Sequence, residues 1–194
     1  MGVHLVDLAA FDVDAFNGAE TAVERAGLRV ATYRELEGDP DRDRKYAELD
    51  GTVGKDMPST ETPTPMGPEQ FRRQIIESPD FLPDATLFAL DGDRYVGVSA
   101  LFGTPGDPTL MNGTTGVLRD YRRRGIATAL KLRNARWGRE NGYARIRTWN
   151  EQGNRAMLGI NERFGFVKQP AWIGHINDLK PDETHGLDPK EICE

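Results

Sequence analysis

Apolar and polar positions change period several times along the chain, and each change marks an element. Residues 3–8 form a short apolar stretch. A helix follows over residues 12–26, which Asp12 or Asp14 would cap and Gly27 would stop. Leu28, Val30 and Thr32 alternate with Arg29, Ala31 and Tyr33, which predicts a strand over 28–33. Residues 39–53 are highly charged, with Tyr46 and Leu49 at helical spacing, and predict a helix with a narrow apolar stripe. Pro58, Pro63, Pro65 and Pro68 exclude regular helix or central strand from 56–68, where a loop is expected. Pro68 then opens a short helix through Glu77, with Phe71, Ile75 and Ile76 apolar.

Three strands with tight connections come next, over 85–90, 95–102 and 109–118. Asp91-Gly92-Asp93 is a hairpin signal between the first two. The period returns to helical at Arg124. Ile126, Leu130 and Trp137 share one face, Lys131, Arg136 and Arg139 lie elsewhere, and Asn141-Gly142 ends the helix. Residues 144–149 alternate again. Asn154 opens a second helix with Met157, Ile160 and Phe164 on one side and Gly165 at its end; 166–167 and 171–176 are the last strands expected. The order predicts an α/β fold, with helices packed on a mixed sheet. Residues 1–27 read as an N-terminal extension, 28–179 as one domain, and 180–194 as a loose polar tail.

Composition narrows the class. A chain of 194 residues builds one sizeable core, and 38% hydrophobic with 29% charged residues describes a globular protein. No apolar run approaches the ~20 residues needed to span a bilayer, so no membrane partner is expected. Cys193 is the only cysteine and cannot form an internal disulfide, which fits a cytoplasmic protein. A net charge of -6 argues against nucleic-acid binding. His4, His175 and His185 are too scattered for a metal site, and none is expected. Trp137 and Trp149 read as core, Trp172 lies on the side expected for an acceptor, and His175 reads as packed or solvent-facing.

The most informative segment runs from Gly116 to Thr128. A strand ends, Arg122-Arg123-Arg124 follow, and a helix begins at Gly125. The first N–H groups of a helix lack intrahelical partners and carry partial positive charge, so they suit a phosphate or diphosphate. Cations at a helix N-terminus cost roughly 0.3–1 kcal/mol each, so three of them call for an anionic ligand. The alternative is an ordinary solvated face. The chain has no GK followed by Ser or Thr, and the three-glycine dinucleotide fingerprint is also missing.

Arg122, Gly125 and Ala127, placed after a strand ending in Val117-Leu118, resemble the signature of the GNAT superfamily of acyl-CoA-dependent N-acyltransferases. The segments Arg145 to Asn150, Asn154, and Asn161-Glu-Arg-Phe-Gly-Phe166 continue the likeness, which covers 114–167. It is strongest to one half of bacterial tandem GNAT proteins of the mycothiol synthase group, whose Asp-x-Pro segment is matched by Asp56-Met57-Pro58. The resemblance implies a mixed, mostly antiparallel sheet with helices on both faces and a splay between the two central strands. It also makes the N-terminal extension a remnant of a preceding half, and the chain a fragment or a surviving half.

The resemblance further implies acetyl-CoA as co-substrate and a small-molecule amine as acceptor. Val117, Leu118, Arg119, Arg122, Arg123, Arg124, Gly125, Ile126, Ala127, Thr128, Asn150, Asn154 and Asn161 would contact the coenzyme. Many members carry a tyrosine at the position of Asn161, where it protonates the leaving thiolate. An amide orients the sulfur and is a poor proton donor, so Tyr121, Tyr143 or water would substitute. Glu151 is the leading candidate base, ahead of Asp56, and Asp120 reads as a turn residue. Competing readings are a non-catalytic acyl-CoA-binding domain and a structural half that dimerises through residues 1–27.

Overall fold

The computed structural model describes residues 2–16, 18–56, 66–150 and 154–169. The strands are β1 (Gly2–Asp7), β2 (Arg29–Thr32), β3 (Phe81–Asp91), β4 (Arg94–Phe102), β5 (Thr109–Val117), β6 (Arg145–Asn150) and β7 (Val167–Lys168). The helices are α1 (Ala19–Arg25), α2 (Arg42–Gly54), α3 (Pro68–Phe71), α4 (Ile126–Glu140) and α5 (Arg155–Arg163). One seven-stranded sheet runs in the order β2-β3-β4-β5-β6-β1-β7. Every neighbouring pair is antiparallel except β5 and β6. This is the mixed, mostly antiparallel architecture that the sequence resemblance implies.

Alternation on β3 assigns the two faces. Phe88 and Leu90 pack with Tyr46, Leu49 and Val53 of α2. Leu87 and Ala89 pack instead with Ala129 and Leu130 of α4 and Val23 of α1. β4 carries three register shifts, one of them between the pairs Phe81↔Phe102 and Thr86↔Ala100. At Val96 the pairing skips from Ala89↔Gly97 to Leu90↔Tyr95, and opposite Ala100 it skips from Ser99↔Thr115 to Leu101↔Asn112. An extra residue in one strand bends it and breaks the ladder locally. On β5 the extra length falls at Gly113-Thr114, so Asn112 and Thr115 reach the α4 side while Gly116 meets Val53 of α2.

Several expectations change. The helix expected over 12–26 splits into a 3-10 turn at Asp14–Phe16 and α1. Gly18 has φ +95°, which no helix contains. The helix after Pro68 continues as a wider turn, Arg72–Ile76. Trp149, expected in the core, is 46% exposed, because alternation along β6 puts it on the open face with Arg145 and Arg147, opposite the buried Ile146 and Thr148. Lys131, expected on the polar side of α4, is 4% exposed. The segment expected as an extension supplies β1, an internal strand between β6 and β7. Pro58, Glu151, Trp172, His175, His185, Cys193 and the strand over 171–176 lie outside the described residues.

Candidate functional site

β5 and β6 pair only from Thr109↔Arg145 to Asn112↔Thr148. Beyond that register the two strands part, and among the described residues Gly113 to Val117 has no strand on its β6 side. A cleft of about 460 Å³ opens there. Its walls are Thr115, Gly116 and Val117 of β5, Val53 of α2, Met157 and Ile160 of α5, and the start of α4. Thr115 is fixed from behind: its hydroxyl hydrogen-bonds Ser99 Oγ at 3.0 Å and accepts from Asn112 Nδ2 at 3.2 Å.

One end of the cleft gathers arginines and backbone N–H groups. Tyr121 to Arg123 lead into Gly125, Ile126, Ala127 and Thr128 on its lining. Arg123 has φ +62° and Gly125 φ +77°, two left-handed residues flanking Arg124. Such alternation turns successive N–H groups inward. Arg123 is the one non-glycine residue with positive φ among the described residues. The first intrahelical-type bond runs from Ala129 N–H to the Gly125 carbonyl at 3.0 Å. Among the described residues, no acceptor takes the N–H groups of Arg123 to Thr128. Three arginines, Arg122, Arg123 and Arg163, and one carboxylate, Asp56, line the cleft.

Arg122 hooks the loop back onto its strand: Nε donates to the Val117 carbonyl at 2.9 Å. Its other guanidinium nitrogen, with that of Arg119, holds Asp56. Those hydrogen bonds, from Arg119 and then Arg122, hold the Asp56 carboxyl down at about 2. A carboxylate so engaged is a poor proton acceptor near neutrality. Tyr121 also reaches the cleft, but its hydroxyl donates to Asp91 at 2.6 Å, and that bond raises its pKa. Tyr143 stacks on Trp137 elsewhere, with ring centroids 5.9 Å apart.

The remaining sequence candidates fall as follows. Asn154 lines the cleft and caps α5, its Oδ1 accepting from Met157 N–H at 3.2 Å. Leu118 donates its N–H to the Val96 carbonyl and packs between core clusters. Arg124 points back to the Asp120 carbonyl. Asn150 ends β6. Asn161 is 0% exposed, and neither amide atom has a partner among the described residues. It does not join the cleft lining. Val53, Gly116, Met157, Ile160 and Arg163 were not singled out. Their only trace in the sequence is an apolar helix stripe, a glycine beside the motif and an arginine in the last turn of α5.

Residues 55–166, more than half of the chain, match the family model of the Acetyltransferase (GNAT) family. Among solved structures, a GCN5-related N-acetyltransferase from Sphaerobacter thermophilus aligns at TM-score 0.57 and 17% identity, over 87% of this chain and 48% of that one. A tandem GNAT protein from the clavulanic acid biosynthesis pathway aligns at TM-score 0.59 and 20% identity, over 85% of this chain and 49% of its own. The ribosomal-protein-S18-alanine N-acetyltransferase from Escherichia coli aligns at 0.55 and 14%, covering 72% of this chain and 77% of its own. At these identities the likeness is one of fold. The chain spans about half the length of the first two proteins. No curated protein sequence matches it.

Proposed function

Because the chain belongs to the acetyltransferase (GNAT) family, we propose that it transfers an acetyl group from acetyl-CoA to the amine of a small-molecule acceptor by direct attack. The observation that carries this reading is the run of unpartnered N–H groups from Arg123 to Thr128, placed at the mouth of a cleft between parting strands. That end suits the coenzyme diphosphate. The apolar stretch of Val53, Val117, Met157 and Ile160 suits its extended arm. Bound there, acetyl-CoA supplies an activated thioester.

The residues then act by position and polarity. Backbone groups of β5 left open by the departure of β6 orient the thioester, and an N–H polarises its carbonyl oxygen. Fixing the acceptor beside it makes the encounter effectively intramolecular. The amine nitrogen forms the C–N bond as the C–S bond breaks. Sulfur leaves with the electron pair and takes up a proton, giving amide and CoA thiol. Asp56, locked to two arginines, is poorly suited to be the base. Glu151 keeps that role as a candidate. A cytoplasmic setting, a homodimer and kinship with the mycothiol synthase group belong to the same reading.

A second reading rests on Asn161. A fully buried amide stands where many family members have tyrosine, which favours an acyl-CoA binder without turnover. Calorimetry with acetyl-CoA, followed by an amine screen for thiol release, separates the two. Gly125→Asp sets bulk and negative charge into the anion end, at a φ of +77° that side chains rarely adopt. It is expected to abolish binding, whereas Arg147→Ala, on an exposed position of β6, should leave binding unchanged. Binding that survives Gly125→Asp would overturn the loop assignment.

A further inference from the structure

The buried stripe of α2 runs Tyr46, Leu49, Val53, and Asp50 interrupts it. Asp50 stands four residues after Tyr46 and three before Val53, so it shares their sheet-facing side. Its carboxyl is half-buried and faces the Thr114 hydroxyl of β5. Burial raises its pKa, and Thr114 only partly offsets that.

The cations nearby are engaged elsewhere. Arg42 pairs with Asp43, Arg44 with Asp41 and Glu48, and Lys45 with Asp39. From the turn after α3, Arg72 reaches Asp43 and Glu77. β4 offers Val98, Ala100 and Phe102 to this region, and β5 offers Thr114 and Gly116, none of them charged. Tyr46 is the titratable neighbour on α2 itself. Asp50 therefore has no ion-pair partner among the described residues. Keeping a carboxylate partly out of water without a partner is costly, and either a proton or a bound cation relieves that cost.

Its position says where the cation comes from. The cleft runs from the arginine loop along Val117 and Gly116 to Thr115. Thr114, in the bulge, is the next residue. Asp50 lies roughly 4.5 Å along the helix axis from Val53, away from Asp56. It stands at the end opposite the anion site, where the thioester of a bound acyl-CoA would emerge. Resting on the acetyl-CoA reading above, we propose that Asp50 and Thr114 form the acceptor subsite and that the acceptor is an alkylammonium, held by the Asp50 carboxylate. The carboxylate takes the first proton of R–NH3+ and passes it to solvent. The freed lone pair attacks the thioester carbon, and a second N–H proton ends on the departing sulfur.

The test uses the full chain, acetyl-CoA and four probes. Phenethylamine, 1,4-diaminobutane and ethanolamine are alkylammonium ions near neutrality, and aniline is neutral. Wild type is expected to release thiol faster with at least one alkylammonium than with aniline. Asp50→Asn should lower kcat/KM for that probe about tenfold or more. It should leave acetyl-CoA affinity within about twofold, because the subsite is remote from the anion end. Its Tm should stay level or rise, since an unpaired buried charge is gone; a structural role would lower it. Thr114→Val is the second variant, expected to reduce turnover more mildly. The inference is overturned if acetyl-CoA binds and Asp50→Asn turns over alkylammonium as wild type does. It is equally overturned if aniline is preferred, or if no alkylammonium accelerates release. Failure of wild type to bind acetyl-CoA overturns the underlying reading instead.

Discussion

Lys131 sits on α4 with its ammonium donating to Asn112 Oδ1 at 2.9 Å and 5.1 Å from the Phe166 ring centroid. No carboxylate pairs with it among the described residues, and burial pushes its pKa from 10.5 down to about 7. Between those values the unfolded chain holds the proton and the folded chain does not, so stability should rise as pH rises through that window, by roughly 1 kcal/mol per pH unit. Urea unfolding at about pH 7 and about pH 9 measures the slope. Lys131→Met should flatten it and raise stability most below pH 7; a flat wild-type profile would refute the assignment. The sequence marks Lys131 as a polar-face residue because a helical wheel registers one apolar stripe. The second cover, from Phe166, arrives from more than thirty residues away. The turn from Arg122 and the helix start after Gly125 were legible for the opposite reason, because both depend on neighbouring residues. Asp50 stood in plain view as an acid inside an apolar stripe, but its partner Thr114 is brought to it only by the fold.

At the scale of elements, most of the strands and helices expected from periodicity are present, while their bends are not readable. The bulge at Gly113-Thr114 depends on how β4 and β5 align. Gly116 shows how tightly that alignment is used. A Cβ there would lie 2.6 Å from Val53 Cβ, an atom on the helix wall that cannot swing aside. Gly116→Ala should push α2 outward, cost roughly 1–3 kcal/mol of stability and weaken acetyl-CoA binding. Adding Val53→Gly, which removes the opposing Cβ, should make the two losses less than additive, because the two sites share one contact. Denaturation and calorimetry on the single and double variants give the cycle. Additive losses would mean that the contact is not what keeps the cleft open.

At the scale of the molecule, the sheet order was not legible, because nothing local tells a strand at the start of the chain to lie between two near its far end. β1 pairs with β6 from Gly2↔Asn150 to Asp7↔Arg145 and with β7 through His4 and Leu5. Val6 and Leu8 are buried with Leu110, Ile146 and Phe164. A chain lacking residues 2–7 should lose β7 from the sheet and expose the edge of β6, the strand paired in parallel with β5. Limited proteolysis is expected to cut it early after β5, and its thermal transition should broaden. A truncated chain that unfolds as sharply and resists protease as well as wild type would show that β1 is dispensable.

The same pairing bears on how the protein is made. β1 leaves the ribosome well before β6: Trp149, the partner of Val3, follows 146 residues later. At ordinary elongation rates that is a wait of roughly 7 to 30 seconds. Through that interval a sticky segment with no hydrogen-bonding mate must be kept from neighbouring nascent chains, and the half of the sheet bearing the cleft is the last to be stitched shut.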